Sequence, residues 1–544
     1  MSQMLKSSGA MGFATLASRL LGLVREQVYA HFMGDGAEAS AFKLAFQVPN
    51  LFRRLLGEGA LTAAFIPIFK EKEKTQGEPE MWRAANAVIS ALVSVATVVV
   101  VAVMAGLTVL LAASSVRFQR EGVTVFPPLP FPILNEDTLL MLRLLRLMFP
   151  YLLLVCLAAL CMGILNARGH FFIPAMGATM LNVAMIATVF LLAPRFGATL
   201  KTQIFALGVG VLLAGVAQFA FQVPTLWREG FRYRWVNPRH DATVREVVRK
   251  MVPAALGVAA FQVNVLLIQG LAFWIDRSIV ASFDYAVRLM EFPQGIVGAS
   301  LATYLLPALA GLAAEKRYAE FRTSLLEGLG HLMFVNLLAS ALLLVLAEPM
   351  VRLLFERGQF QAGATQRASW ALACLAPSLV AYSSVNVLAR AFYALGDTRT
   401  PMKISLVSLG FNLVFAMALL APFRQGGLGI ANTLSSGLNL ALLAYALRRK
   451  LTRLDWQPLR RPLLQLAWIT VAAGLAAAAL LRLCEGRFGH AALGPRLAAV
   501  FVPMAGATLV YFGLALVCRV PQARELGGLL LRRGQRSPAG VQRN

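Results

Sequence analysis

The chain has 544 residues, of which 58% are hydrophobic and only 14% charged, and its mean hydropathy is +0.67. That balance excludes a soluble enzyme of this size and implies an all-α, polytopic membrane protein. A formal net charge of +25 invites a nucleic-acid reading, but in a membrane chain the placement of charge outweighs its sum.

In chain order, the first residues, MSQMLKSSGAMG, hold a single Lys and no small-residue cleavage site before a polar stretch. The first apolar segment is therefore expected to stay as a helix rather than be removed. Apolar segments then run over 8–33, 38–70, 83–114, 137–167, 171–194, 200–225, 247–275, 279–313, 323–348, 364–395, 401–421, 427–448, 461–483 and 495–518. Each is long enough to cross a hydrocarbon core, which takes about 20 residues, so the sequence predicts 14 transmembrane helices.

Loop charges predict the orientation. With the N-terminus inside, the cytoplasmic segments hold about 30 Lys and Arg and the other side about 11. The inside set includes the 228–250 connection, the 448–461 loop and the tail from Arg519. Both termini are expected in the cytoplasm. These basic connections read as a positive-inside surface touching membrane lipid, with no nucleic-acid partner.

The second segment departs from a plain span. PNLFRRLLGEGALTAAFIPIF (49–69) carries Arg53, Arg54 and Glu58 at membrane depth, with Pro49, Gly57 and Gly59 expected to interrupt the helix around them. Charge at that depth is costly and marks a functional site by default, and broken helices are tolerated where they line a cavity. Two neighbouring guanidiniums suit phosphate oxygens, because each offers a planar fork of donors. Arg19, Arg25 and Arg288 also lie inside spans, with Glu26, Asp284 and Glu291 as charge balance. Spacing sets Arg19 with Glu26, Arg54 with Glu58 and Arg288 with Glu291 on common helix faces, so mutual ion pairing competes with anion binding. Lys43 is a further intramembrane cation, whereas Arg143, Arg146, Arg390 and Arg482 lie near span ends, within reach of water.

An internal repeat organises the chain. GALTAAFIPIF at 59–69 is echoed by ASLATYLLPAL at 299–309, and LNARGHFFIPAM at 165–176 by FYALGDTRTPMK at 392–403. This predicts two pseudo-symmetric six-helix lobes around a basic central cavity, 1–227 and 228–450, the second opening with the basic linker. Residues 451–518 then form spans 13 and 14, read as a groove for a lipid tail, and 519–544 form a basic cytoplasmic tail.

No catalytic constellation is visible: HExxH, GxSxG, a Walker loop and a paired DxxD are all missing, and the five His are scattered. The five Cys fall in or beside apolar runs without CxxC spacing. The reading is a transporter that is not an enzyme, with no cofactor and no metal. A multidrug cation antiporter of the same fold is a further alternative, but it would require a net acidic cavity, opposite to the charge found here.

SRLLGLVREQVYAHFMG (18–34), AFKLAFQVPNLFRRLLGEGALTAAFIPIF (41–69) and DYAVRLMEFPQGIVGASLATYLLPAL (284–309) resemble the MurJ/MviN lipid II flippases, within the multidrug/oligosaccharidyl-lipid/polysaccharide exporter superfamily. The resemblance covers spans 1–12. It implies an inner-membrane protein of cell-wall biogenesis whose substrate is lipid II, undecaprenyl-pyrophosphate carrying the disaccharide-pentapeptide precursor of peptidoglycan. It implies alternating access, and other cell-wall synthesis proteins as further partners. It also matches Arg19, Arg25, Arg53 and Arg288 to the family's cavity arginines, with Arg54 and Glu58 beside them. Ser40 and Val287 stand where many relatives carry acid. Where some relatives bind sodium with carboxylates, spans 7 and 11 offer Gln262, Asn264 and Asn412 instead. The arginine clamp reads pyrophosphate rather than sugar, so a flippase for another polyprenyl-pyrophosphate glycan is the nearest alternative.

Overall fold

The computed structural model describes residues 2–57, 60–118, 135–295, 299–451, 455–525 and 528, and these contain helices and connections but no strand. Among the described residues, nine helices are long and apolar enough to cross a membrane, or up to eleven if each of two bent pairs is one span. The chain is a multi-pass membrane protein. It divides into two compact units, Met1–Ala281 with Arg357–Gln361, and Ser282–Glu356 with Ala362–Asn544.

In the first unit, α1 (Ser2–Met33) is followed by α2 (Ala37–Phe52), a π-helical turn (Arg53–Gly57) and α3 (Ala60–Gln76). Gly34, at φ +60°, ends α1, and a Cβ there would lie 2.7 Å from the Gln359 carbonyl oxygen. Only glycine meets both conditions without strain. Pro49 does not interrupt the helix as expected: α2 runs through it to Phe52. The break comes at the π turn, where the hydrogen-bond register widens by one residue, a distortion common at functional sites. Glu58 and Gly59 lie outside the described residues.

α4 (Glu78–Phe118) is 41 residues long, about 60 Å at 1.5 Å per residue, twice the hydrocarbon thickness. α5 (Glu136–Met148) starts on Asn135, whose side chain accepts from Thr138 N at 3.3 Å, with Glu136 and Asp137 favoured in the first turn by the helix dipole. It bends by 47° into α6 (Tyr151–Ala167) at Phe149–Pro150. α7 (Phe172–Ala187), α8 (Leu200–Ala220) and the short α9 (Val223–Arg228) follow. α10 (Ala242–Ile275) is capped by Asp241, which accepts from Thr243 N and Val244 N at 2.9 and 3.1 Å, and packs on α2, α3 and α4.

α11 (Ile279–Pro293) begins at the end of the first unit and continues into the second, followed by α12 (Ala299–Ala314). Gln294 and Gly295 after α11 are again π-helical, 241 residues beyond Arg53 and Arg54, where the first such turn starts. α13 (Tyr318–Val345), α14 (Ala347–Phe355), α15 (Ala362–Leu375) and α16 (Ser378–Ala394) complete the middle of the chain. The α15–α16 pair bends by 44° at Ala376–Pro377, 227 residues after the Phe149–Pro150 bend. Proline cannot donate to the preceding turn, and the carbonyls exposed by this bend are served by hydroxyls instead. Thr433 Oγ1 donates to Cys374 O at 3.0 Å, Ser378 Oγ to Leu375 O at 2.6 Å and Ser340 Oγ to Ala376 O at 2.9 Å.

α17 (Arg399–Phe423), α18 (Gln425–Lys450), α19 (Gln457–Phe488) and α20 (Leu493–Val517) follow. α12, α13, α16 and α18 share a core of Leu309, Phe321, Leu325, Phe392 and Leu443. α19 and α20 join α13 through small residues, Ala473, Ala477, Ala507 and Ala515, which let backbones approach where lipid gives little hydrophobic drive. Tyr511 reaches across, its hydroxyl donating to Phe334 O at 2.7 Å.

Candidate functional site

In the first unit the intramembrane charges of α1 and α2 converge on one carboxylate. Glu26 is 3% exposed and takes Arg25 Nη2 at 2.6 Å and Lys43 Nζ at 3.4 Å, one on each oxygen. Arg25 sits over the Tyr29 ring at 5.4 Å, and Tyr29 meets Phe42 edge-on at 5.9 Å, so the residue before Lys43 buttresses the residue that carries Arg25. The aromatic wall continues through Phe46 to Tyr151, whose hydroxyl donates to Gln218 at 3.2 Å. Mutual pairing offsets the cost of withdrawing these three charges from water.

Glu26 was expected opposite Arg19, seven positions away. Arg19 is instead exposed and makes no ion pair among the described residues, because Arg25 and Lys43 occupy both Glu26 oxygens. Lys43 is the member that sequence reasoning left out of the site. Its spacing to Asn50 and Arg54, seven and eleven positions on, places it on their helix face and could have flagged it.

At the π turn Arg53 is half-buried and its Nε donates to Asn50 Oδ1 at 2.8 Å. That bond fixes one edge of the guanidinium from α2 itself. Arg54 is exposed, and its expected partner Glu58 lies outside the described residues. The preceding span also holds Ser40, fully buried, whose Oγ accepts from Ala281 N at 3.1 Å. Ser40 thus caps a first-turn N–H of α11, a role that a carboxylate could also fill.

In the second unit Arg288 Nη1 pairs with Glu291 at 3.0 Å, as their spacing predicts. Both are solvent-open, at 41% and 51% exposure, so the pair constrains the arginine only weakly. Asp284 is half-buried on the same helix, as is Val287. α11 is anchored beside them by Tyr285, buried against Phe355 at 5.1 Å. Asn412 donates to Ser435 Oγ at 2.9 Å, joining α17 to α18, while Gln262 and Asn264 are buried on α10.

Outside the apolar spans, Arg168 gathers carboxylates from three elements of the first unit: Glu73 at 2.5 Å, Glu78 at 3.0 Å and Glu229 at 2.8 Å. His170 adds a second contact to Glu229 at 2.7 Å. The hydrogen bonds from His170 and Arg168 hold Glu229 below the usual carboxylate range, and those from Lys70 and Arg168 do the same for Glu73. In the second unit Lys450, at 2.6 Å, and Thr400 depress Asp397 likewise.

A sequence model of the family described as "Lipid II flippase MurJ" matches residues 29–498. The chain belongs to the MurJ family. It is 32% identical to the probable lipid II flippase MurJ of Haemophilus influenzae, over 81% of this chain and 85% of that one. It is 33% identical to the lipid II flippase MurJ of Burkholderia cenocepacia, over 80% and 82%. A solved MurJ in an inward closed conformation superposes with a TM-score of 0.72 at 19% identity, covering 92% of this chain and 98% of that structure. The fold is therefore that of MurJ, and the relatives are named as flippases, which are transporters.

Proposed function

We propose that this MurJ-family chain is a lipid II flippase of the bacterial inner membrane, carrying the undecaprenyl-pyrophosphate-linked precursor from the inner to the outer leaflet by alternating access. The observation that carries the reading is the Arg25–Glu26–Lys43 cluster joining the first and second spans, with Arg53 orientated by Asn50 on the broken second span. Guanidiniums positioned in an apolar setting suit the charge and geometry of pyrophosphate. In this proposal Arg25, Arg53 and Arg54 contact the phosphates, with Arg19 and Glu58 beside them and Glu26 balancing charge. Arg288, with Asp284 and Glu291, is assigned to the same substrate from the family resemblance.

Fourteen spans follow if α1, the α2–α3 pair and the α11–α12 pair join the eleven apolar ones; all three carry charges of the proposed site. The paired π turns and paired proline bends support two six-helix lobes, 1–227 and 228–450. Trp468, Leu475 and Leu509, exposed on α19 and α20, support a lipid-tail surface in 451–518. Both termini and the 519–544 tail are assigned to the cytoplasm from the loop charges.

The test is a leaflet-accessibility assay for lipid II in cells depleted of the native protein and supplied with variants. Arg53→Lys keeps the charge but loses the fork, so export should fall about tenfold or more, as a charge-assisted contact is worth about 1.5–3 kcal/mol. Membrane abundance should be unchanged. Normal export by this variant, or loss of the protein from the membrane, would refute the clamp.

A further inference from the structure

We propose that residues 227–240, the last turn of α9 and the connection to α10, form a binding site for the anionic headgroups of membrane phospholipids.

This stretch, WREGFRYRWVNPRH, leaves α9 through a turn, and its irregular middle, 231–237, lies along the start of α4. Asn86 Nδ2 donates to Arg232 O at 3.1 Å, Arg234 N donates to Asn86 Oδ1 at 3.2 Å and Val236 N donates to Ser90 Oγ at 3.2 Å. Phe231 is buried against Trp82, their rings 5.5 Å apart. The backbone is therefore a strap pinned at several points, unlike a loop that samples solvent freely.

Two features of the strap point to lipid. Trp227, Tyr233 and Trp235 are 56%, 48% and 60% exposed, costly in water but favoured where an aromatic ring meets the headgroup layer. Its charge is also uncompensated. Arg228, Arg234 and Arg239 are exposed and make no ion pair among the described residues. Both nearby carboxylates are committed elsewhere, Glu229 to Arg168 and His170, and Asp241 to the α10 cap.

The height of the strap fits as well. Val95 is the first large apolar side chain exposed on α4, and with Val98, Val101 and Val109 it begins an exposed apolar stretch suited to lipid. Ser90 lies five residues earlier, about 7 Å along the axis. The headgroup layer on each side of a bilayer is about 5–7 Å deep. Val236, held at Ser90, thus stands at headgroup depth, with Arg234, held at Asn86, about 6 Å further out on the aqueous side, and an RNA or a soluble acidic protein would leave the aromatic rings without a partner.

The test uses the full chain in nanodiscs of phosphatidylcholine, with and without phosphatidylglycerol. Hydrogen exchange across 227–240 should slow when phosphatidylglycerol is present. In detergent, native mass spectrometry should show the chain binding phosphatidylglycerol in preference to phosphatidylcholine. Replacing Arg228, Arg234 and Arg239 together by Gln should remove that preference, by about fivefold for each charge lost. The backbone bonds to α4 do not involve these side chains, so the variant should fold. Asn86→Ala with Ser90→Ala keeps every arginine but unpins the strap, and should also lose the exchange protection. Equal protection in both nanodiscs would overturn the proposal, as would full binding by the unpinned variant, which would indicate diffuse charge rather than a built site. Equivalent protection by inorganic phosphate alone would make the ligand a free anion and equally overturn it.

Discussion

Replacing Glu26 by Gln tests whether the intramembrane charges of α1 and α2 are held by one shared carboxylate. The group is 3% exposed, and its partners Arg25 and Lys43 are 12% and 9% exposed. Neutralising it removes the common counter-ion of two poorly hydrated cations, a kind of change that costs about 3–5 kcal/mol. Lys43→Met removes the longer of the two contacts to Glu26, at 3.4 Å, and should cost about 1.5 kcal/mol. If both bonds draw on the same carboxylate, the double variant Glu26→Gln/Lys43→Met should be more stable than the sum of the single losses implies, by about 1–2 kcal/mol. Denaturant unfolding of the full chain in micelles, with membrane abundance in cells, measures each arm. A Glu26→Gln protein within about 0.5 kcal/mol of the parent, or a strictly additive double variant, would refute the shared-carboxylate account.

Ser40→Ala should cost about 0.5–2 kcal/mol by leaving the Ala281 N–H without its cap, measured by the same unfolding; an unchanged midpoint would count against the cap. Gly34→Ala should cost about 1–3 kcal/mol, because φ is +60° and the new Cβ meets the Gln359 carbonyl. Glu229 has its folded pKa depressed, chiefly by the His170 hydrogen bond and then by Arg168. Its contribution is therefore present above the ordinary value of 4.5 and lost as pH falls from there through the folded value. Unfolding followed downward from neutral pH should show stability dropping in that window, and Arg168→Ala should flatten the drop.

What the sequence made legible was what depends on neighbours along one helix. Apolar runs marked the long spans such as α4 and α20, and the three-residue spacing of Arg288 and Glu291 gave a pair that forms. The repeat read at 59–69 and 299–309 has a local counterpart in two π turns, although Pro49 alone had suggested an earlier break. Illegible were contacts between helices. Nothing in α1 says that Lys43 of α2 will take Glu26, nor in span 2 that Ser40 will reach Ala281 N, because those partners are set by packing across chain distances that no periodicity encodes. Arg168 was passed over for the same reason, since its three carboxylates come from three separate elements.

The bend between α15 and α16 has a consequence for how that span moves. Three successive carbonyls there, Cys374, Leu375 and Ala376, receive hydroxyls from α18, α16 and α13. Straightening the helix would turn those oxygens back into the axis and strand Thr433 and Ser340 in an apolar interior, at about 1 kcal/mol for each interhelical bond. A flexible joint would be left open to swing, whereas this one is latched from both neighbouring helices. The elbow therefore behaves as a rigid crank, and when α16 tilts, α13 and α18 tilt with it.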